Sequence, residues 1–240
     1  MEVLYKYVMK PTPCHYLPDR QWQLEYHEVA AMTREELLAL IEQGWRRMGH
    51  TLFRPACSNC TACQPIRILV DQFEPNRNQR RVLKANSDVV VRIGEPVLAI
   101  DRIDLYVRHH MHHSEQKGWS KTSPRTAAAS IVHFMQTPTP IEEWSYYRGD
   151  TLVAISYVDP LPTGFSGVYF YHHPEFRKQS LGIFIVLSLI QRARELGLPY
   201  VYLGYFVKGC RSMDYKGRFL PAETMSPDGS WIQFSGARDE

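Results

Sequence analysis

Apolar residues first recur at helical spacing after Thr33, where Leu37, Leu40, Ile41, Trp45 and Met48 follow one another. Thr33 and Glu36 have the spacing of a capping box, and Gly49 is the expected stop. IRILV, starting at Ile66, predicts a short strand. A second helix is predicted from about Asp101 to Lys117, and Ser123 followed by Pro124 marks the start of a third. From Ile141 the pattern changes to strands: EEWSYYRG, then TLVAISYV, then FSGVYFY after the turn DPLPTG. The nearly all-apolar LGIFIVLSLIQRARELG predicts a buried helix with Ser180 as its cap and Gly197 and Pro199 as its stop. YVYLGYF is a further strand. Strand, strand, helix, strand with a buried connecting helix is an α/β arrangement, in which a ligand sits at the helix N-terminus or where neighbouring strands separate.

Composition shifts around Gly94 to Pro96. The expectation is a mixed α+β or α/β chain of two domains, a small Cys-rich one over residues 1–95 and an α/β one over 96–240. With 240 residues, 44% hydrophobic and 22% charged, the composition is that of an ordinary globular protein able to bury a core. No apolar run approaches the roughly 18 residues of a membrane span. The start, MEVLYKYVMKPTP, lacks a signal peptide's apolar core, so a cytoplasmic protein with no membrane partner is expected. A net charge of +3 is too small to imply nucleic-acid binding, which leaves local clusters to carry any such role. One cluster is Arg77, Arg80, Arg81 and Lys84, uninterrupted by an acid until Asp88; the other is Arg211, Lys216 and Arg218, beside Tyr215 and Tyr205.

Cys57, Cys60 and Cys63 repeat a C-x-x-C spacing in CSNCTAC, and Cys14 lies upstream in PTPCHYLPDR. Such thiolates can turn toward one centre, with the remote fourth stapling a second stretch of chain to the loop. Three close cysteines plus a distant one favour a [4Fe–4S] cluster; zinc is the alternative, and buried free thiols or disulfides are the bland reading. His109 and His113 lie one helical turn apart among His109, His110, His112 and His113. No zincin pattern surrounds them, so they are taken as ordinary helix histidines. Nothing marks Cys210 as a nucleophile.

VYFYHHPEFRKQSLGIF, the helix after it and YLGYFVKGCRSMDYKGRFLPAE together resemble the aminoacyl-tRNA–protein transferases, specifically the short bacterial aspartate/glutamate leucyltransferases. FRPACSNCTACQPIR and NRNQRR are similar to that family's first domain. The most specific matches are Cys210, Met213, Tyr215, Lys216 and Pro221, with the turn Ser180-Leu181-Gly182. The resemblance implies a GNAT-like second domain, with the acyltransferase fold shared with acetyl-CoA-dependent N-acetyltransferases. It also implies transfer of leucine from leucyl-tRNA to proteins that begin with Asp or Glu, which marks them for degradation. The longer eukaryotic arginyl-transferring relatives carry an iron–sulfur cluster in the first domain. Three departures stand out. His173-Pro174 replaces the family's Asp-Pro, with Glu175 as the candidate substitute; Ser212 replaces a lysine; and Leu17 stands where those relatives have a second cysteine, with Cys57 and Cys63 as the replacement ligands.

Such a donor ester is already activated, so the enzyme must place the acceptor amine, take its proton and stabilise an oxyanion. Tyr205, Tyr215, Lys216 and Glu175 are the catalytic candidates; Arg211, Arg218, Ser180 and Gly182 are candidates for substrate binding, because the acceptor's carboxylate needs a cation. Arg77, Arg80, Arg81 and Lys84 are the candidates for tRNA phosphates. Two rivals remain. An acetyl-CoA-dependent N-acetyltransferase would need its diphosphate at the Ser180 turn, where Phe184 is expected to crowd it, so no CoA is expected. A metal-stapled nucleic-acid-binding or redox-sensing module would leave the second half without a purpose.

Overall fold

In the largely apolar stretch TLVAISYV, Leu152 to Val158 are buried because helices cover the strand from both sides. It lies in a computed structural model that describes residues 1–117 and 120–236. The first part of the chain forms β1 (Glu2–Val8), β2 (Thr12–Pro13), β3 (Gln21–Trp22), β4 (Leu24–Ala31), α1 (Arg34–Ile41), β5 (Arg46–Met48), β6 (Thr51–Pro55), β7 (Gln64–Leu69), α2 (Arg77–Ala85) and β8 (Val89–Gly94). The second part forms α3 (Ile100–Lys117), α4 (Pro124–Met135), β9 (Glu142–Arg148), β10 (Thr151–Leu161), β11 (Gly164–His172), α5 (Leu181–Glu195), β12 (Tyr200–Phe206), β13 (Ala222–Met225) and β14 (Trp231–Gln233). Single 3-10 segments occupy Pro174–Gln179 and Asp214–Arg218.

The result is a mixed α/β fold. One sheet has four strands in the order β1-β4-β6-β5, a second has eight in the order β14-β13-β7-β12-β11-β10-β9-β8, and β2 and β3 form a separate two-stranded ribbon. The larger sheet crosses the division expected at residue 95: β7 lies between β13 and β12, and β8 pairs with β9. Leu187, Ile190 and Ala193 of α5 pack with Ile66, Val153 and Val201 on one face of this sheet. Leu105, Ile131 and Phe134 of α3 and α4 pack with Ile155, Tyr157 and Tyr171 on the other. A smaller core joins Leu37 and Ile41 of α1 to Val29, Leu52 and Trp45.

The capping boxes explain where two helices start. Thr33 and Glu36 bond as expected, and Asn76 with Gln79 does the same for α2. The spacing that predicts one helix through Met48 misleads, because Gly44 adopts φ +84 and ends α1. Trp45 then enters the small core from the turn, and Arg46–Met48 form an edge strand. Gly49 at φ +62 is the turn of the β5–β6 hairpin rather than a helix stop. The predicted helices at α3, α4 and α5 are present, the Ser123 cap included. Ser180 corrects the expected cap of α5: it sits at φ 53 in the left-handed region, and its side chain makes no cap hydrogen bond.

Candidate functional site

β11 and β12 run parallel and pair only from Gly164 with Tyr200 to Ser166 with Tyr202. Beyond that point they diverge, and a cavity of about 750 Å³ fills the gap. Gly167 to Phe170 of β11 and Leu203 to Tyr205 of β12 form its sides, and the first turn of α5, Ser180 to Ile183, closes one end. The opening N–H groups of a helix have no intrahelical carbonyl, and the helix dipole adds positive potential there. His109, His112 and His113 of α3 with His172 of β11 form a further wall. Burial and the neighbouring imidazoles of His172 and His113 hold His109 far below the usual imidazole range, so that ring stays neutral.

The opposite wall comes from the first part of the chain. Arg46 donates to the Ser166 hydroxyl at 3.0 Å and to the Gly167 carbonyl, taking up β11 groups where the two strands part. Gly204 permits this approach: it adopts φ +79, and a Cβ there would lie 3.0 Å from Arg46 Nε. Arg47 beside it forms a fully buried ion pair with Asp159 of β10, which ties the small sheet to the large one. Phe53 and Tyr16 also reach the cavity.

Lys216 is the most unusual group here. Its Nζ donates to the Tyr205 carbonyl at 2.7 Å and contacts Met213 Sδ at 3.5 Å, and only 8% of the residue is exposed. Burial, helped by the Arg46 charge, pulls its pKa down to about 7. Tyr205 donates its hydroxyl to the Gly44 carbonyl at 2.8 Å, and burial pushes its pKa up, so it acts as a fixed wall rather than a base. Tyr215 is likewise raised by burial and packs against the main core.

The structure therefore brings Tyr205, Tyr215, Lys216, Arg211, Ser180 and Gly182 around one cavity. Glu175 and Arg218 are exposed and do not line it. Arg77, Arg80, Arg81 and Lys84 are exposed on α2, which packs against α5. Gln79 of α2 donates to the Arg218 carbonyl at 3.0 Å, and Asn86 just beyond α2 donates to the Gln179 carbonyl at 2.8 Å, so the basic helix bridges two segments that flank the cavity. Sequence reasoning missed Arg46, Phe53 and Arg177, all of which line the cavity. Arg46 had no signal, because its partners lie about 120 residues away.

Phe184 corrects an expectation. Its ring is buried and lies edge-on to Tyr146 in the core, so it does not crowd the α5 turn, and that ground for excluding CoA falls away. Cys14, Cys57, Cys60 and Cys63 are all half-buried free thiols. Burial, then Cys57, Cys14 and Cys60, pushes the Cys63 thiol up to about 12; Cys210 from the second half of the chain adds to the effect. The donor set suits a thiophilic centre in its chemistry. Among the described residues, no three His, Cys, Asp or Glu side chains close on one point in metal-holding geometry.

Two family models match the chain: "Arginine-tRNA-protein transferase, N terminus" over residues 12–81 and "Arginine-tRNA-protein transferase, C terminus" over 101–226. Curated proteins named aspartate/glutamate leucyltransferase are similar along nearly the whole length. The one from Nitrobacter hamburgensis is 35% identical over 98% of this chain and 93% of its own. That from Agrobacterium fabrum is 36% identical over 95% and 94%. Among solved structures, L-PGS from Bacillus licheniformis aligns at a TM-score of 0.40 with 13% identity, over 74% of this chain and 54% of that one.

Proposed function

The chain belongs to the arginine-tRNA–protein transferase family, and we propose that within it this enzyme transfers leucine from leucyl-tRNA to the α-amine of proteins beginning with Asp or Glu, marking them for degradation. One observation carries the choice of substrates. Among the described residues the cavity is lined by Arg46, Arg177, Arg211 and Lys216 and by no Asp or Glu, while Val168, Phe170, Ile185 and Leu203 give it an apolar interior. A carboxylate on the acceptor gains a cation there, an apolar leucyl side chain is accommodated, and a cationic donor side chain finds no counter-charge.

The chain's own groups divide the work. The donor ester is already activated, so no CoA is required. An acceptor α-amine has a pKa of about 7.7 to 8.0 and is partly neutral at physiological pH, so positioning supplies much of the rate. The first-turn N–H groups of α5 at Leu181 and Gly182 favour the oxyanion that forms on the ester carbonyl. Lys216 is held near neutrality by burial, and an incoming acceptor carboxylate keeps it protonated, so it becomes that carboxylate's cation as the acceptor binds. Arg77, Arg80, Arg81 and Lys84 on α2 meet phosphates of the tRNA, a contact that gives salt-dependent affinity. The diverging strands and the helix N-terminus support a GNAT-like reading of the residues after 96, and the tRNA donor supports the cytoplasm as compartment; among the described residues no helix is long and apolar enough to cross a membrane.

Cys14, Cys57, Cys60 and Cys63 would hold a [4Fe–4S] cluster or zinc that fastens the segment before Arg20 to the loop after β6. Such a centre would supply folding energy to the segments it fastens. Elemental analysis and a visible absorption spectrum after anaerobic purification distinguish the two metals. Transfer of labelled leucine from leucyl-tRNA to a peptide beginning with Asp, and not to one beginning with Ala, is the expected result for the reaction. No transfer from leucyl-tRNA to the Asp peptide overturns it.

A further inference from the structure

Four side chains stand in one transverse row of the four-stranded sheet. The register places Tyr7 opposite Tyr26, Tyr26 opposite Phe53, and Phe53 opposite Arg46, so the row crosses every strand. Its inner members, Phe53 and Arg46, line the cavity between β11 and β12. Its outer members form a ladder: the Tyr7 and Tyr26 rings stack at 4.9 Å and 18°, and Tyr5 continues the stack 5.9 Å from Tyr7. Tyr26 and Phe53 complete it at 6.4 Å. This is not core packing at the outer end, since Tyr7 is 44% and Tyr5 57% exposed on an edge strand.

A run of rings from open surface into a reaction cavity suits one kind of ligand in particular. Unpaired nucleotides are held by stacking on aromatic side chains, which is tolerant of sequence because every base has a π face. The donor carries its ester on the 3′ end of an RNA, and only unpaired terminal nucleotides are slim enough to thread into the cavity while a duplex stays outside. We propose that Tyr7 and Tyr26, extended by Tyr5, are the stacking track for the unpaired 3′-terminal nucleotides of the donor RNA, with Phe53 marking the point where the ester enters the cavity. This rests on the transferase activity proposed above. Tyr5 stands at the outer end of the ladder, farthest from the cavity, so Tyr7 carries more of the binding than Tyr5; Glu28, opposite Tyr5 and acting on Tyr7 as well, keeps phosphates off both rings and leaves the bases to face them.

The test compares Tyr7→Ala, Tyr7→Phe and Tyr5→Ala in the full chain. Tyr7→Ala should raise KM for leucyl-tRNA at least about fivefold, the loss of one stacked base, with kcat and the acceptor peptide's KM within about twofold. Tyr7→Phe keeps the ring and should restore the wild-type KM; Tyr5→Ala should fall between. A second readout is independent of transfer: a short single-stranded RNA ending in CCA, carrying a fluorescent adenine analogue at its 3′ end, should be quenched on binding to wild type and less so with Tyr7→Ala. Leucine transfer with unchanged leucyl-tRNA KM and unchanged quenching in Tyr7→Ala overturns the track and leaves the transferase activity standing. A rise confined to the acceptor peptide's KM makes β1 a peptide-binding edge and also overturns it. If wild type transfers no leucine, the proposed reaction falls, and the quenching comparison alone decides whether the ladder binds RNA.

Discussion

The two walls of the cavity are built in different ways. The wall made by β11, α5 and β12 is one β–α–β unit in which neighbours in space are also near in sequence, from Gly164 to Phe206. The facing wall, with Arg46, Phe53, Tyr16 and Lys216, is assembled from segments far apart in the chain and is joined by single polar contacts such as Arg47 with Asp159 and Arg46 with the Ser166 hydroxyl. The first wall supplies shape, an apolar interior and the exposed Arg177; the second adds the buried charges of Arg46 and Lys216. Chemistry at this site therefore depends on a small number of long-range polar contacts, and those contacts are the places to test it.

The largest expected effect is on the joint itself. Arg47→Ala leaves Asp159 buried without its partner and should cost about 3–5 kcal/mol in urea unfolding, whereas Arg54→Ala, which breaks a more exposed pair with Glu25, should cost under about 1 kcal/mol. Similar small losses for both would show that the two sheets are not held through this pair. Next is Lys216→Met, which removes the acceptor's cation: KM for an Asp-initiated peptide should rise by roughly 10- to 100-fold while KM for leucyl-tRNA stays put. A rise in the leucyl-tRNA KM instead would move Lys216 to the donor side.

Gly164→Ala probes the local wall. A Cβ there would lie 2.0 Å from the Tyr200 carbonyl oxygen, where the parallel pairing starts, so about 1–3 kcal/mol of stability should be lost in thermal unfolding. A neutral substitution would mean that the β11–β12 junction yields. The pH dependence of stability gives a smaller signal with a fixed sign. Between about 7 and the ordinary lysine value of 10.5 the unfolded chain keeps the Lys216 proton and the folded one does not, so wild type should gain stability relative to Lys216→Met as pH rises through that window, with no difference in slope below about 7. The slightest effect belongs to α2: Arg80→Ala and Arg81→Ala should each weaken tRNA binding modestly and lower its salt slope by about one, without changing the acceptor's KM.

Much of the local wall was legible in the sequence. The apolar run after Ser180, the stops at Gly197 and Pro199 and the flanking strands predicted the β–α–β unit, and a cavity opens at the helix N-terminus where a ligand is expected. Lys216 and Tyr215 of the C-terminal motif meet Tyr205 of the preceding strand at the cavity. Other expectations differ from the structure for identifiable reasons. Trp45 and Met48 continue a helical spacing, but Gly44 reverses the chain first. Glu175 follows the aromatic strand closely in sequence, yet the 3-10 segment after His173 turns it outward. Phe184 is at the α5 turn in sequence, but its position on the helix directs it into the core.

By itself, the sequence determined what depends on periodicity and short-range chemistry: helices α1, α3, α4 and α5 with the caps at Thr33 and Ser123, the central strands, the massing of thiols around CSNCTAC, and the family to which the chain belongs. The tertiary structure alone decided that β7 enters the larger sheet, that Arg46 reaches across to Ser166 through the space left at Gly204, and that Lys216 is dry enough to titrate near neutrality. The reason is physical. Capping and amphipathic spacing act within one or two turns of chain, whereas desolvation and strand pairing are set by whatever surrounds a group after collapse, and that surrounding here comes from segments more than a hundred residues away.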